Sequence, residues 1–218
     1  MTHLLRIDAS ARQGRSLTRQ LTAAFVAQWM YREPDAAVTA RDVGVTPPPA
    51  VSEAWIAAAF AGEDRSDAQR ELLALSDQLI DEVEAADVIV IGAPMYNYGM
   101  PAALKAWFDQ IVRIDRTFTF DLARGDQPLE PMLSGKQVVV LASWGEFGFE
   151  PGGQNAAHNH LVPHIRTCSR YLGAESFDFL AIEYQEFGDE RHEASKREAF
   201  NEIPALLARL QGVRAAAA

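Results

Sequence analysis

Cysteine is nearly absent from this sequence of 218 residues, and basic side chains are in the minority. Cys168 stands alone, so no disulfide can form within the chain, which suits a reducing compartment. Lysine and arginine number 20 against 30 aspartates and glutamates, which gives a net charge of −10. An acidic surface disfavours nucleic acid and anionic membranes as partners. We therefore expect a cytoplasmic protein that does not bind nucleic acid.

Long hydrophobic runs and several enzyme motifs are missing as well. No apolar run approaches the length of a bilayer span, and the first residues lack a signal-peptide layout, so we expect no membrane insertion. The absence of Walker A and GxGxxG patterns disfavours a triphosphate or a dinucleotide pyrophosphate as ligand. The absence of a GxSxG elbow argues against a serine hydrolase. Hydrophobic residues make up 48%, enough for a buried core in one domain spanning 1–218.

Short apolar runs alternate with amphipathic stretches along the chain. Strands are predicted at 3–8, 37–43, 88–91, 137–142 and 176–182. Helices are predicted at 16–32, 52–60, 67–85, 102–112, 161–172 and 189–211, the last bent or interrupted at Pro204. The run 88–91 is β-branched throughout, which is typical of a parallel strand covered by helices on both faces. We predict an α/β fold with a doubly wound, five-stranded parallel sheet in the flavodoxin-like order 2-1-3-4-5.

Two helix faces and one connection complete the expected fold. The helix at 67–85 is expected to bury Leu72, Leu75, Leu79 and Val83, which recur at helical spacing. Cys168 lies on the apolar face of the helix at 161–172, so we interpret it as a buried small hydrophobe and not a catalytic thiol. A long connection is predicted at 115–135.

The loop after the first strand is rich in hydroxyl and basic side chains. It contains Ser10, Ser16 and Thr18, and it leads into a helix N-terminus, whose free N–H groups and dipole favour an anion. Arginines at 12, 15 and 19 share this stretch with one acid, Asp8. The pattern indicates a site for a phosphate monoester, or else a serine N-cap among solvated arginines.

The loop after the third strand carries Met95, Tyr96, Asn97 and Tyr98 where a plain connector would be small and polar. In an open α/β sheet, ligands bind at the carboxyl ends of the strands. A thioether, two phenols and a carboxamide suit the edge and face of a flat, hydrogen-bonding heterocycle such as a flavin. The alternative is a loop covered by another subunit.

The loop after the fourth predicted strand begins with Ser143, Trp144, Gly145 and Glu146. Ser143 and the backbone of Gly145 are placed to donate hydrogen bonds to the pyrimidine side of such a ring, where charge accumulates on reduction. The alternative is a flexible turn. Further along, His158, His160 and His164 cluster without an acid or cysteine to complete a ligand set, so we expect no metal site.

Two motifs resemble one family. The tetrapeptide at 95–98, followed by Leu-Lys-Ala-Trp-Phe-Asp at 104–109, is similar to the FMN-dependent NADH:azoreductases, also described as NAD(P)H:quinone oxidoreductases. Further support comes from 28–29, 41–42, 75–80, 117–118 and 172–173, so the resemblance covers nearly the whole chain to about residue 183. It implies a flavodoxin-like fold, bound FMN, NADH or NADPH as donor, and a homodimer with each flavin site near the interface.

Site residues follow from this resemblance by position. It implies that Ser10, Ser16, Leu17 and Thr18 hold the FMN phosphate. It implies ring contacts from the two further loops: Met95, Tyr96, Asn97, Tyr98, Ser143, Trp144, Gly145 and Glu146. Glu146 departs from the family pattern, which often has glycine there. Phe118 and Phe120 resemble an aromatic lid over the substrate face, one that reaches the partner's flavin.

The expected activity is a two-electron, ping-pong transfer of hydride from a nicotinamide to quinones or azo compounds, with no side-chain acid or base required. A one-electron carrier of the flavodoxin type is the alternative, although the first loop lacks the threonine- and glycine-rich pattern of such carriers. A receiver-type signalling domain is disfavoured because Asp8 stands alone at the end of the first strand.

Overall fold

The computed structural model describes residues 1–217, which form seven strands and six α-helices. The strands are β1 (His3–Asp8), β2 (Ala37–Asp42), β3 (Val88–Pro94), β4 (Phe118–Phe120), β5 (Leu129–Pro131), β6 (Lys136–Ser143) and β7 (Ala174–Ile182). The helices are α1 (Leu17–Arg32), α2 (Glu53–Ala59), α3 (Asp67–Ala85), α4 (Ala102–Ile111), α5 (Val162–Ser169) and α6 (Glu190–Ala217).

The central sheet has the strand order β2-β1-β3-β6-β7, and all its pairs are parallel. This order confirms the predicted 2-1-3-4-5 arrangement, because β4 and β5 form a separate hairpin. Ile89 lies beside Leu5 on one side and Val138 on the other. Every residue of β3 and β6 is buried, as expected for strands covered on both faces.

Alternate residues of the strands feed two apolar clusters, one on each face of the sheet. On one face, Ile89 and Val138 pack with Trp107 and Phe108 of α4. On the other face, Val90 and Val139 pack beneath α1 and α6. The period-two pattern of a strand explains why neighbouring residues enter different clusters.

Three details differ from the sequence-based expectations. Leu72 is 41% exposed, because α3 instead buries Leu73, Ser76, Leu79, Ile80 and Val83. Ser76 satisfies its hydroxyl by donating to the carbonyl oxygen of Gln110 at 2.5 Å, so a serine occupies a core position that leucine spacing did not reveal. The connection at 115–135 contains the antiparallel hairpin β4–β5. The last helix continues through Pro204 without interruption.

Cys168 lies partly buried against the first apolar cluster, as its helical position indicated. Burial raises the pKa of its thiol, which keeps it protonated and unreactive at neutral pH. Among the described residues, no helix combines the length and the apolar character needed to cross a membrane.

Backbone hydrogen bonds fix the loops at the carboxyl edge of the sheet. The N–H of Ala9 donates to the carbonyl oxygen of Gly92 at 2.9 Å, and the N–H of Met95 donates to that of Ser143 at 2.8 Å. The chain segments that leave β1, β3 and β6 are therefore held side by side. This edge is where an open parallel sheet binds ligands.

Candidate functional site

A cavity of about 280 Å³ lies at the carboxyl edge of the sheet, where the loops after β1, β3, β6 and β7 meet. It is lined by Ser10, Arg12, Arg15, Ser16, Leu17, Pro94, Met95, Tyr96, Ser143, Trp144, Gly145, Gln185 and Glu186. The three loops singled out from the sequence thus converge on one space. The segment 185–186 after β7 was not foreseen.

A second cavity of about 210 Å³ adjoins the first and shares Met95, Trp144, Gly145 and Glu186 with it. Its other lining residues are Asn97, Tyr98, Glu146 and Phe149. Eleven of the twelve candidate cofactor residues therefore line one of these two adjoining spaces. Thr18 lines neither: it is fully buried, and its hydroxyl lies 3.2 Å from Oγ of Ser16.

One end of the first cavity is built to receive an anion. Ser16 is the N-cap of α1, and its Oγ accepts a hydrogen bond from the N–H of Arg19. The first N–H groups of a helix have no partners in a preceding turn, and the first turn of α1 contains no acid. Ser10, which is 3% exposed, and the arginines at 12 and 15 surround the same end. Hydroxyls, guanidinium groups and helix N–H groups together suit a phosphate monoester.

Arg19 has a different task from the other two arginines of this loop. Its guanidinium donates to Oδ1 of Asp42 and to the carbonyl oxygen of Ser10, each at 2.7 Å. Its Nε donates to the carbonyl oxygen of Arg12 at 3.0 Å. The hydrogen bonds between the two side chains raise the pKa of Arg19 and lower that of Asp42. Arg19 thus stays charged and clamps the loop to the end of β2.

The loop after β3 forms a tight two-residue turn. Tyr96 and Gly99 exchange backbone hydrogen bonds at 3.0 Å in both directions, and the two residues between them, Asn97 and Tyr98, have φ of 47° and 66°. Two positive φ values define a type I′ turn, and they are costly for an aromatic residue. The turn holds the Asn97 and Tyr98 side chains outward, where both are exposed at the second cavity. Strain kept at a ligand-facing turn is typical of functional sites.

Trp144 forms a fixed wall between the cavities. Its indole is 3% exposed, and its Nε1 donates to Oε1 of Glu183 at 3.0 Å. The same oxygen accepts the N–H of Gly148 at 2.8 Å. Glu146 lies outside the left-handed region, which Gly148 occupies instead with φ of 71°. Glu146, at the position where the resemblance implies a glycine, therefore causes no backbone strain.

The loop after β7 closes the site from the side. The N–H groups of Tyr184 and Glu186 donate to the carbonyl oxygens of Glu146 and Gly145 at 2.8 and 3.1 Å. A Cβ on Gly145 would lie 2.6 Å from the side chain of Glu186, so a larger residue at 145 would require that side chain to move. Sequence analysis missed Gln185 and Glu186 because the segment has no motif; its position after a parallel strand was the available signal.

The two candidate lid residues lie on the hairpin, away from these cavities. Phe118 packs on Tyr171 with ring centroids 5.6 Å apart, and Phe120 is 50% exposed. Neither lines the cavities of its own chain. Their assignment to a partner's site stays a prediction. Within residues 1–217, no group of three or more His, Cys, Asp and Glu side chains is arranged to hold a metal ion.

The fold and the site define a flavodoxin-like protein, and comparison with known proteins agrees. The family described as "Flavodoxin-like fold" matches residues 2–207. The chain belongs to this family.

Curated relatives cover essentially the whole chain. An FMN-dependent NADH:quinone oxidoreductase 2 of Colwellia psychrerythraea is 50% identical over 218 residues, covering 96% of this chain and 100% of the relative. An FMN-dependent NAD(P)H:quinone oxidoreductase 1 of Pseudomonas aeruginosa is 43% identical over 208 residues, covering 94% of this chain and 98% of the relative. The family resemblance inferred from the motifs at 95–98 and 104–109 is confirmed.

Solved structures share the fold. The azoreductase from Bacillus anthracis strain Sterne superposes with a TM-score of 0.84 at 22% identity, covering 96% of this chain and 100% of that one. An FMN-dependent NADH-azoreductase from the Ames Ancestor strain of that species, solved in complex with FMN, superposes with a TM-score of 0.81 at 16% identity. The match covers 96% of this chain and 99% of that one. At these identities the likeness establishes the architecture of the chain.

Proposed function

We propose that this chain is an FMN-dependent NADH:quinone oxidoreductase that also reduces azo compounds. The observation that carries the proposal is the convergence of three loops on two adjoining cavities, with an anion site at one end and Met95, Tyr96 and Trp144 at the other. The names of relatives up to 50% identical support the same activity.

The residues present fit FMN. The buried hydroxyls of Ser10 and Ser16, the N-terminus of α1 at Leu17, and the arginines at 12 and 15 hold the phosphate, and Thr18 lies behind them with its hydroxyl 3.2 Å from Oγ of Ser16. Loop residues 95–98 and 143–146 contact the ring system. This division explains why the basic side chains are gathered at one end of the first cavity, whereas the second cavity has none among its lining residues.

The protein supplies orientation, and the cofactor supplies redox chemistry. The FMN held by these loops would supply the hydride chemistry that links the nicotinamide donor to the acceptor. Tyr98 and Trp144 provide flat apolar walls that hold the donor and then the acceptor in the second cavity. Both substrates use this one space in turn, so the kinetics are ping-pong.

The overall reactions balance without a side-chain acid. A quinone, NADH and one proton give a hydroquinone and NAD⁺. An azo compound consumes two NADH and two protons, its nitrogen–nitrogen bond breaks, and two amines form. Solvent supplies the protons, because the second cavity lies at the surface beside the exposed side chains of Asn97 and Tyr98. NADPH is the alternative donor.

We further propose that the chain forms one cytoplasmic domain and acts as a homodimer. The hairpin β4–β5 exposes Phe120, Leu122, Leu129 and Met132, an apolar set that suits burial against a second copy. Phe118 and Phe120 then belong to the wall of the partner's substrate space. A single, partly buried cysteine suits the reducing cytoplasm.

An absorbance experiment tests the proposal. The purified protein, supplied with FMN, should show oxidised flavin bands that NADH bleaches and a quinone restores. FMN should bind at least tenfold more tightly than riboflavin, because only FMN fills the anion site. A protein that ignores FMN, or that binds it without accepting electrons from NADH, would falsify the proposal.

A one-electron carrier is distinguished by reductive titration. A carrier takes up its two electrons in two resolved steps, whereas a hydride-transferring enzyme takes them up in one. We expect a single step with dithionite under anaerobic conditions. Two separated steps, with no quinone turnover, would favour the carrier.

A further inference from the structure

A third cavity, of about 450 Å³, lies beside the second, and the proposed reaction leaves it without a role. It is lined by Tyr98, Glu146, Phe147, Asn155, His158 and Phe187. Tyr98 and Glu146 also line the second cavity, so the two spaces meet at these side chains. A molecule held in the second cavity therefore lies beside the third, and a substituent on it would reach the third cavity along these two side chains.

Aromatic rings form much of the third cavity. Phe147 stacks on Tyr184 with centroids 4.6 Å apart and meets Phe187 edge-on at 6.0 Å. The negative face of an aromatic ring attracts cations. This cluster already holds one: the guanidinium of Arg191 lies 4.7 Å from the Phe187 ring centroid and 5.0 Å from that of Tyr184. The charge of Arg191 is balanced by a carboxylate oxygen of Asp189 at 2.6 Å.

Two carboxylates lie at the junction of the cavities. Glu146 is half-buried there, with Oε1 3.5 Å from the hydroxyl of Tyr98, and Glu186 lines the second cavity nearby. Within the described part of the chain, neither carboxylate forms an ion pair. No lysine or arginine lines the second or third cavity.

We propose that the third cavity binds a cationic substituent of a flat aromatic acceptor, and that Glu146 is a specificity-determining residue for such substrates. The inference rests on the proposed function and adds to it the chemical class of the preferred acceptor. An ammonium group placed there meets the aromatic side chains that line the cavity and the carboxylate of Glu146, which forms no ion pair among the described residues. A sulfonate in the same place is repelled by Glu146 and has no lysine or arginine among the lining residues to offset that repulsion.

The test compares three acceptors with one ring system. They are 2-methyl-1,4-naphthoquinone and two derivatives of it, one with a trimethylammonium side chain and one with a sulfonate side chain. The readout is the ratio of kcat/KM for the cationic derivative to that for the anionic one, at a single pH and low ionic strength. Taking the ratio for each variant removes differences in intrinsic reactivity between the quinones.

The variant Glu146→Gln should lower this ratio about three- to fivefold, the size expected for one partly solvated charge contact. The matched control is Glu150→Gln, in the same loop, whose exposed side chain lines none of the three cavities. It removes the same unit of charge from a protein of net charge −10 and should leave the ratio unchanged. Equal effects of both variants would assign the preference to overall charge and overturn the proposal.

A binding measurement separates recognition from turnover. Calorimetry of the oxidised, FMN-loaded protein without NADH should detect phenyltrimethylammonium and should not detect benzenesulfonate. The variant Phe187→Leu, at a half-exposed position, keeps apolar volume and removes the ring. It should lower the affinity for phenyltrimethylammonium about threefold. Equal binding of both probes would overturn the proposal.

The neutral quinone tells the two proposals apart. If wild type does not reduce 2-methyl-1,4-naphthoquinone with NADH, the proposed function itself fails. If wild type reduces it, but the cationic-to-anionic ratio is near one and Glu146→Gln does not change it, the proposed function stands and only the cation site is wrong.

Discussion

The indole of Trp144 is hydrogen-bonded to one carboxylate, that of Glu183. This carboxylate accepts hydrogen bonds from the indole and from the N–H of Gly148, so it joins the start and the middle of the loop after β6. Glu183 is itself anchored, since its N–H donates to Oγ of Ser195 at 2.9 Å and its carbonyl oxygen lies 2.8 Å from Nδ1 of His192. Glu183 is thus a positioning residue behind the wall of the site.

The substitution Glu183→Ala should weaken FMN binding about tenfold, because hydrogen bonds to a charged group contribute about 1.5–3 kcal/mol and part of that holds the wall in place. Glu183→Gln keeps one carbonyl oxygen as acceptor and should restore most of the affinity. Flavin fluorescence quenching measures both. Glu202→Ala, at an exposed position of α6, is the control. Wild-type affinity in Glu183→Ala would show that Trp144 is held by packing alone.

Asn97 permits a substitution that changes charge without changing the backbone. Its φ of 47° is one that aspartate also adopts readily, so Asn97→Asp should keep the turn. The new carboxylate lies at the second cavity and opposes the gain of negative charge on reduction. We expect reduction by NADH to slow about fivefold, as for one partly screened charge, in stopped-flow measurements. Asn97→Gly keeps the positive φ and adds no charge; a similar slowing there would contradict the electrostatic explanation.

At the scale of elements, the loop between β1 and α1 is held from outside. Arg19 ties its carbonyl oxygens to Asp42 at the end of β2. Gly44, just after β2, packs so closely that an added Cβ would lie 2.2 Å from the carbonyl oxygen of Ser10. The loop that we propose to hold the phosphate therefore depends on β2, a strand that contributes no lining residue to the first cavity.

Breaking this clamp should have a pH-dependent effect on stability. Because Arg19 lowers the pKa of Asp42, the pair stabilises the folded protein above the ordinary aspartate pKa of about 3.9, and this contribution is lost as pH falls through the lower pKa of the folded state. Arg19→Gln should cost about 1 kcal/mol at pH 7, since Asp42 is partly solvated. Denaturant unfolding at pH 7 and pH 3 should show the difference from wild type shrinking at the lower pH; a difference independent of pH would refute the ion-pair account.

The sequence predicted elements wherever apolar periodicity was strong. β1 and α3 have the predicted bounds, and β3 extends the predicted run 88–91 only by Gly92, Ala93 and Pro94. The hairpin β4–β5 was not predicted because each of its strands has three residues, too few to show an alternating apolar pattern. The segment 185–186 escaped because its place in the site depends on hydrogen bonds to the loop after β6, which no local pattern encodes.

The sequence alone could not show which arginine of the first loop holds the loop in place and which ones line the cavity. Three of them lie within eight residues, and local composition treats them alike. Helical geometry turns Arg19 back toward Asp42, whereas Arg12 and Arg15 precede α1 and line the cavity. Arg19 differs from the other two because it pairs with Asp42, which lies 23 residues away along the chain.

At the scale of the whole molecule, we expect a homodimer. A monomer has a mass of 24.0 kDa, so sedimentation equilibrium should give about twice that value at micromolar concentration. Phe120→Ala should raise the KM for the quinone severalfold and leave FMN affinity unchanged, because Phe120 lines no cavity of its own chain. Tyr31→Ala, at another strongly exposed aromatic position, is the control. A fully active monomer would rule out a partner's role for the hairpin.

The second apolar cluster is closed by α6. Ile203, Leu206, Leu207 and Leu210 of α6 cover Val139 and Leu141, and the side-chain amide of Gln137 donates to the carbonyl oxygen of Leu210 at 3.0 Å. During synthesis, the part of this side of the sheet that α1 does not cover must therefore stay exposed until these turns of α6 leave the ribosome. A chain that stalls before α6 is made would expose a hydrophobic face of the sheet. This exposed face would make the chain a substrate for chaperones and proteases.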